Sequence, residues 1–429
     1  MVIITTSAHE SDTADEYTEL IRDITEEVDH SDGSESSGME PIDKLSLFRD
    51  INATNEDDMD SGNSSPVTAL QKYFESYVSI ATNVPFLVVL AFNAVYGHKI
   101  GDNVKNLTSF VMIIVIFIMT TIFVKINTDL YQQTFFSLTI ASIVLLSTSA
   151  GTLQSSASGI ASLFPSQCMH AMVSGQAVSG LFAAMAQVLA LMGHWEVVNT
   201  AFYYFLMADI TLVLSLIMYL YTKQTDFYRH HKQRVKQSRR QMQSFALSSE
   251  HNFLQSIVYE IWPHLLSSTL VFWVTLSVFP AITVLVAPQR PDTSYWTGKY
   301  FIPVTCFLLY NLSDLMGRFA GRFCPIPAHS RHTVLVVAIA RVALIPLIML
   351  CNALPRAHLP VVFASEVYYV LFITLLGFSN GFVLINVMIN GPTLVGYQYR
   401  ERAGFLLVCC LGAGLTLGSF SSNILLRFL

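Results

Sequence analysis

Long runs of apolar residues, separated by short polar connections, fill the chain from about residue 77 to its end. A helix needs about 20 mostly apolar residues to cross the hydrocarbon core of a bilayer. The chain contains ten such runs: 78–98, 106–126, 133–155, 167–193, 197–222, 262–287, 299–321, 332–352, 364–388 and 402–428. This pattern predicts an all-α, polytopic membrane bundle of about ten transmembrane helices.

The overall composition agrees with a membrane protein. Of the 429 residues, 52% are hydrophobic and 13% are charged, whereas average soluble domains carry about 25% charged residues. Charge is also unevenly placed, because residues 1–76 hold 19 of the 30 acidic side chains but only four of the 24 basic ones. The tail therefore has a net charge of −15, and the rest of the chain has a net charge of +9.

These changes of composition divide the chain into four segments. Residues 1–76 form an acidic tail that we expect to be disordered, because it has too few apolar residues to build a core. Five predicted spans make up an N-terminal helical bundle, 77–222, and five make up a C-terminal bundle, 262–429. This arrangement in two halves resembles that of the major facilitator superfamily.

The segment between the two bundles, 223–261, is basic. It holds seven Lys or Arg side chains and only three acidic ones. Because loops rich in Lys and Arg stay in the cytosol, we predict a cytoplasmic loop here. An alternative is that the loop binds anionic lipid headgroups. With ten spans, the cytoplasmic loop places both chain termini outside the cytosol.

Two kinds of short motif lie in the acidic tail. Asn52 and Asn63 begin N-glycosylation sequons, which are modified only in the lumen. Glu16, Tyr17, Leu20 and Ile21 match endolysosomal sorting patterns, which would be read in the cytosol. The sequons and the sorting patterns require opposite sides of the membrane. Both can therefore function in one protein only if another span separates them. We expect an integral membrane protein of the plasma membrane or of the late endosome and lysosome.

One predicted span carries a carboxylate and a guanidinium. Asp314 and Arg318 are four residues apart, so on a helix they share a face and can reach each other. A charge at the bilayer centre costs about 2.5–3.5 kcal/mol, so it usually faces a partner or a wet cavity. The pair offers both acceptors and donors, which suits the vicinal hydroxyls of a sugar; Asn311 lies one turn earlier on the same face. The alternative is an internal ion pair that fixes helix packing.

Two further polar residues lie in apolar runs. Gln154 near the end of the third run has a carboxamide that can donate and accept together, which matches the edge of a purine or pyrimidine. Its alternative role is helix–helix hydrogen bonding among neighbouring Ser and Thr. Asp209 is a buried charge in the fifth run. It is either a proton-linked site or a carboxylate that faces Ser and Tyr neighbours.

No pattern typical of an enzyme site occurs in the sequence. The chain lacks the GxSxG, HExxH and GxxxxGK[ST] motifs. Its six cysteines show no CxxC or Cys/His spacing. We therefore expect no catalytic residues, no metal site and no cofactor.

Several motifs over about residues 70–429 resemble the equilibrative nucleoside transporter family. One group of motifs lies in the second half, at 300–311, 314–318, 341–352, 377–382 and 391–392. Asp-Phe-Tyr-Arg-His-His at 226–231 resembles the entry to that family's central loop. Residues 71–85 look most like its endosomal and lysosomal branch. Together their order and spacing make the resemblance specific.

The resemblance implies a function and roles for particular residues. It implies facilitated diffusion of nucleosides or nucleobases by alternating access across a lipid bilayer, with no nucleic acid and no obligate protein partner. Asp314, Gly317 and Arg318 match the family's ribose-contacting helix, and Asn311 matches a family site position. Gln154 matches the nucleobase contact.

The chain departs from the family pattern at its N-terminal end. The resemblance implies eleven helices and a Pro-Trp-Asn motif near the end of the first, and this sequence has no such motif. We expect a family member without the first helix. This leaves two alternatives to nucleoside transport: a transport-deficient member that acts as an interaction or regulatory protein, and an organic cation transporter of the same family.

Overall fold

The computed structural model describes residues 74–96, 101–125, 132–192, 197–233, 250–288, 300–328, 330–354, 356 and 358–429. Residues 1–73 of the acidic tail lie outside these ranges, and with them the predicted sequons of Asn52 and Asn63 and the sorting motif at residues 16–21. Residues 234–249 of the basic loop also lie outside them. Residues 78–429 belong to one compact unit.

The described residues are predominantly helical, with two isolated β-bridges in place of strands. The helices are α1 Phe74–Tyr96, α2 Asp102–Phe123, α3 Gln132–Leu163, α4 Ser166–Met192, α5 Val197–Gln224, α6 Glu250–Val278, α7 Leu309–Phe323, α8 Arg331–Ala340, α9 Leu344–Met349, α10 Glu366–Thr393 and α11 Arg400–Phe428. Each of the ten predicted spans contains helix, which confirms the all-α prediction.

Two predicted spans are less regular than expected. The span predicted at 262–287 ends early, because α6 stops at Val278 and is followed by a 3₁₀ turn at Thr283–Leu285. The span predicted at 332–352 is built from α8, a 3₁₀ turn at Arg341–Ala343, and α9. A π-helical turn, Pro303–Leu308, leads directly into α7. Such turns often accompany functional sites.

Within the described residues, eight helices are long and apolar enough to cross a membrane. The apolar part of α1, Ile80–Tyr96, is shorter. The polar α7 is not among the eight, although it packs closely against α10 inside the bundle. The protein is therefore an integral, multi-pass membrane protein.

Two glycines allow α7 and α10 to approach closely. A methyl group at Gly317 of α7 would overlap the carbonyl oxygen of Phe378, and one at Gly381 of α10 would overlap that of Asp314. Small residues permit this backbone approach in membrane helices. The close contact brings the polar side chains of α10 next to the charged pair of α7.

Candidate functional site

Asp314 and Arg318 form the ion pair that their spacing predicts. Arg318 Nη2 lies 2.7 Å from Asp314 Oδ2, and both side chains are buried. Each lies on the face of α7 that points into the bundle, together with Tyr310 and Asn311. The costly charges of this segment therefore face protein partners and not lipid.

A polar relay reaches the second oxygen of Asp314 from three other segments. Asn380 Nδ2 of α10 donates to Asp314 Oδ1 over 2.7 Å. Asn380 Oδ1 accepts from Thr275 of α6 over 3.0 Å, and Arg341 Nη2 donates to the Thr275 hydroxyl over 2.7 Å. Arg341, Thr275 and Asn380 are each at most 3% exposed. The relay orients the Asn380 amide and connects Asp314 with a second guanidinium.

Arg318 also connects α7 with α4. Its Nη1 donates to the backbone carbonyl of Val173. Arg318 Nε is buried and has no hydrogen-bond partner among the described residues. A guanidinium has five N–H donors, so Arg318 retains donor capacity for a ligand.

A second contact between α4 and α7 lies two turns away. Gly180 of α4 lies against Asn311, because a methyl group at Gly180 would overlap Asn311 Oδ1. Asn311 Nδ2 donates to the carbonyl of Phe307 in the π turn over 2.8 Å. Val173 meets Arg318 and Gly180 meets Asn311, so α4 and α7 run antiparallel with these faces in contact.

Gln154 is paired across α3 and α4. Gln176 Nε2 of α4 donates to Gln154 Oε1 over 2.8 Å. The neighbouring hydroxyls bond within their own helix, with Thr152 donating to Thr148 O and Ser155 donating to Thr152 O. Gln154 thus makes a helix–helix hydrogen bond, but to a second carboxamide, which the sequence analysis did not single out.

Asp209 lies elsewhere, between α5 and α2. Thr121 of α2 donates to Asp209 Oδ2 over 2.7 Å. Asp209 Oδ1 is buried without a hydrogen-bond partner in the ranges that the structure covers. The hydroxyl that donates to Asp209 therefore belongs to a threonine of another helix.

Comparison with known proteins assigns the family. Residues 140–427 match the family model described as nucleoside transporter. The chain belongs to the nucleoside transporter family. The match spans Gln154, Asn311, Asp314 and Arg318.

Individual relatives cover most of the chain. Equilibrative nucleoside transporter 3 of Rattus norvegicus is 30% identical over 86% of this chain and 81% of its own length. Equilibrative nucleoside transporter 1 of Homo sapiens is 30% identical over 82% of each chain. Equilibrative nucleoside transporter 2 of Mus musculus is 28% identical over 84% of this chain and 86% of its own. These similar identities do not distinguish the branches of the family.

Sequence reasoning missed Asn380, Thr275, Arg341 and Gln176. Two of them lie in stretches that carried the family resemblance, since Arg341 begins 341–352 and Asn380 lies in 377–382. A signal for Arg341 was available, because it is a guanidinium inside a predicted span. Thr275 and Gln176 gave no comparable signal, because single Thr and Gln residues are ordinary in membrane helices.

Proposed function

We propose that this member of the nucleoside transporter family carries nucleosides down their concentration gradient by alternating access. The observation that carries the proposal is the buried Asp314–Arg318 pair, which lies where α7 meets α4. Relatives that match over most of the chain are named equilibrative nucleoside transporters. That name supports facilitated diffusion as the mode of transport.

The chemistry of the pair fits a ribose. Each Asp314 oxygen accepts one protein hydrogen bond, from Arg318 or Asn380, and a carboxylate has about four lone-pair sites. Acceptor capacity for sugar hydroxyls therefore remains. Arg318 Nε has no hydrogen-bond partner among the described residues and adds a donor to the pair. In this proposal Asp314 and Arg318 hold the ribose, and Asn311 borders it.

The nucleobase is proposed to contact Gln154. The carboxamide is half-buried and belongs to α3, while the ribose pair belongs to α7. A bound nucleoside therefore bridges the proposed N-terminal bundle, 77–222, and C-terminal bundle, 262–429. Binding at the boundary between two halves that rock against each other is what alternating access requires.

Several contacts join the proposed halves, among them α4 with α7, α4 with α10 and α3 with α11. The first includes the hydrogen bond from Arg318 to the Val173 carbonyl. A ligand that competes for the Arg318 guanidinium would weaken this connection between α4 and α7. We infer that substrate binding and the rocking of the halves are linked at Arg318.

Neither alternative function gains support from these observations. An organic cation at this site would meet Arg318 and Arg341 beside a single carboxylate, Asp314, so the cluster carries a net positive charge. Like charges in a buried site are costly. A transport-deficient interaction protein is not suggested by the names of the relatives that match.

The remaining sequence-based expectations stay proposals. Asp209 is proposed as a proton-linked group, on account of its unpartnered oxygen. Glycosylation at Asn52 and Asn63 and the cytoplasmic position of the 223–261 loop are proposed from the sequence alone. Sorting to the endolysosome through residues 16–21, or residence in the plasma membrane, is proposed on the same basis.

Uptake of radiolabelled uridine into proteoliposomes tests the function. The full-length protein should accumulate uridine to equilibrium without an ion gradient, and Arg318→Ala should abolish this uptake. Arg322→Ala is the matched control, because Arg322 is exposed one turn later on α7. Normal uptake by Arg318→Ala at equal protein incorporation would refute the ribose assignment, and absence of uptake by the unaltered protein would refute nucleoside transport.

A further inference from the structure

The hydrogen bond between Gln176 and Gln154 couples the orientations of two carboxamides at the proposed nucleobase position. An isolated carboxamide can rotate about its terminal side-chain bond, so that its oxygen and nitrogen exchange positions. Gln176 Nε2 donates to Gln154 Oε1 over 2.8 Å, so the Gln154 oxygen is engaged. The Gln154 Nε2 group, with two hydrogens, is then the end that remains for a ligand.

The position of Gln176 along α4 places it beside the charged pair. Val173, Gln176 and Gly180 have the spacing i, i+3 and i+7, so they form one stripe on the helix. The two ends of this stripe contact α7, because Val173 meets Arg318 and Gly180 meets Asn311. Gln176 therefore lies between these contacts, at the level of Asp314.

The paired carboxamides leave complementary polar groups free. Gln154 offers amide hydrogens, and Gln176 Oε1 offers an acceptor. Both side chains are only half-buried, and Val173 and Gly180 on either side of Gln176 are buried. A donor and an acceptor thus lie next to each other on neighbouring helices.

We propose that Gln176 is a second nucleobase-reading residue, which orients Gln154 and accepts a hydrogen bond from the base itself. The inference rests on the proposed function, because it deepens the role of the same site. It names the ligand class as nucleosides whose base has a hydrogen-bond donor next to an acceptor. Uridine has this edge at N3–H and its adjacent carbonyls, whereas 3-methyluridine lacks the donor.

The decisive experiment measures how strongly uridine and 3-methyluridine inhibit radiolabelled uridine uptake into proteoliposomes of the full chain. The unaltered protein should prefer uridine by roughly three- to tenfold, the size expected for one neutral hydrogen bond. Gln176→Leu should bring this ratio to about one, because it should weaken the binding of uridine and leave the binding of 3-methyluridine nearly unchanged. Gln167→Leu, the same substitution at an exposed site on α4, should keep the ratio of the unaltered protein.

Gln176→Glu is the second variant. It retains an acceptor for the base but cannot donate to Gln154, so it should restore the preference for uridine. If Gln176→Leu has no uptake, the shift in Tm of the detergent-solubilised variant with each ligand decides instead. Equal stabilisation by both ligands supports the proposal, and a preserved preference for uridine overturns it.

Other outcomes separate this inference from the proposed function. If Gln176→Leu weakens the binding of uridine and of 3-methyluridine equally, Gln176 only supports the fold and the inference is wrong. If Gln176→Glu discriminates no better than Gln176→Leu, the acceptor role is wrong. If Arg318→Ala and Gln154→Leu both transport uridine normally, the proposed site fails as a whole, whatever Gln176 does.

Discussion

Two buried carboxylates of this protein, Asp314 and Asp209, have very different surroundings. Asp314 accepts hydrogen bonds from a guanidinium and a carboxamide, and a relay connects it with a second guanidinium. Asp209 has a hydrogen bond from Thr121, and its other oxygen has no partner in the described structure. The same residue type thus occurs once within a charge network on the polar helix α7 and once beside a single hydroxyl on the apolar helix α5.

The difference shows how the partners of a buried carboxylate determine which role it suits. A buried ion is stable only when partners replace the water that it loses. Asp314 has charged and polar partners on α7 and α10, and a relay behind Asn380 continues to α6 and the α8–α9 turn, so the carboxylate is held in one geometry that suits ligand recognition. At Asp209 the partner is neutral, which suits a group that binds and releases a proton.

The largest expected effect is that of Asp314→Asn. This change keeps the shape but leaves Arg318 and Arg341 without their carboxylate. Removing one partner of a buried pair costs about 3–5 kcal/mol, so we expect a marked drop in the Tm of the purified protein and complete loss of uridine uptake. Asp209→Asn should lower the Tm far less. An equal decrease in Tm for Asp314→Asn and Asp209→Asn would contradict the comparison.

A large effect is also expected from Gly381→Ala, which tests the close approach of α7 and α10. The added methyl group would overlap the Asp314 carbonyl oxygen and lie 2.9 Å from the Arg318 amide nitrogen. Overpacking of this kind costs about 1–3 kcal/mol, and it should displace the charged pair and reduce uptake.

Gly175→Ala is the control for that prediction. Nothing lies within 4 Å of the methyl group that it adds to α4, and alanine favours helix by about 1 kcal/mol. Its Tm should be unchanged or higher. Thermal unfolding of both variants in detergent provides the measurement, and a stable, active Gly381→Ala protein would show that the α7–α10 contact is not needed.

The relay is tested by Asn380→Leu. The change removes the donor to Asp314 Oδ1 and the acceptor for Thr275, which leaves buried polar atoms unsatisfied at a cost of about 1–3 kcal/mol. We expect an increase of about tenfold in the uridine concentration for half-maximal uptake. Asn423→Leu, at an exposed position of α11, should leave it unchanged. An unaltered value in Asn380→Leu would exclude a positioning role.

The smallest effect at neutral pH is expected from Asp209→Asn. The amide keeps a hydrogen bond with Thr121 but cannot exchange a proton, so uptake at neutral pH should be preserved and its dependence on acidic pH should be lost. Asp226→Asn, at an exposed position, is the control. Uridine uptake measured across a range of pH values decides the question, and an identical pH profile in Asp209→Asn rules out the proton-linked role.

The helices and part of the site follow directly from local sequence. Apolar runs of about 20 residues locate membrane helices, because a segment in hydrocarbon must satisfy its backbone hydrogen bonds internally and a helix does so. The Asp314–Arg318 ion pair follows from helical spacing, since residues four apart lie on one face. Asn311 on the same face followed in the same way. These are short-range properties, and one segment suffices to establish them.

The partners of these residues depend on how separate helices pack. Asn380, Thr275 and Arg341 come from three segments distant in the sequence. Their relay reaches Asp314 through Asn380 only because α7 and α10 approach at Gly317 and Gly381. The pairing of Gln176 with Gln154 likewise requires α3 and α4 to lie side by side. No periodicity within one helix specifies such contacts.

The amino-acid pattern alone was enough to predict a polytopic helical membrane protein, the family resemblance and a charged pair on one helical face. These properties arise from hydropathy and helical geometry, which act within about 20 neighbouring residues. Which carboxylate belongs to a network and which has a neutral partner became clear from the packing of the helices. Hydrogen bonds between helices depend on side chains from several segments, and their placement is set by the packing of the whole bundle.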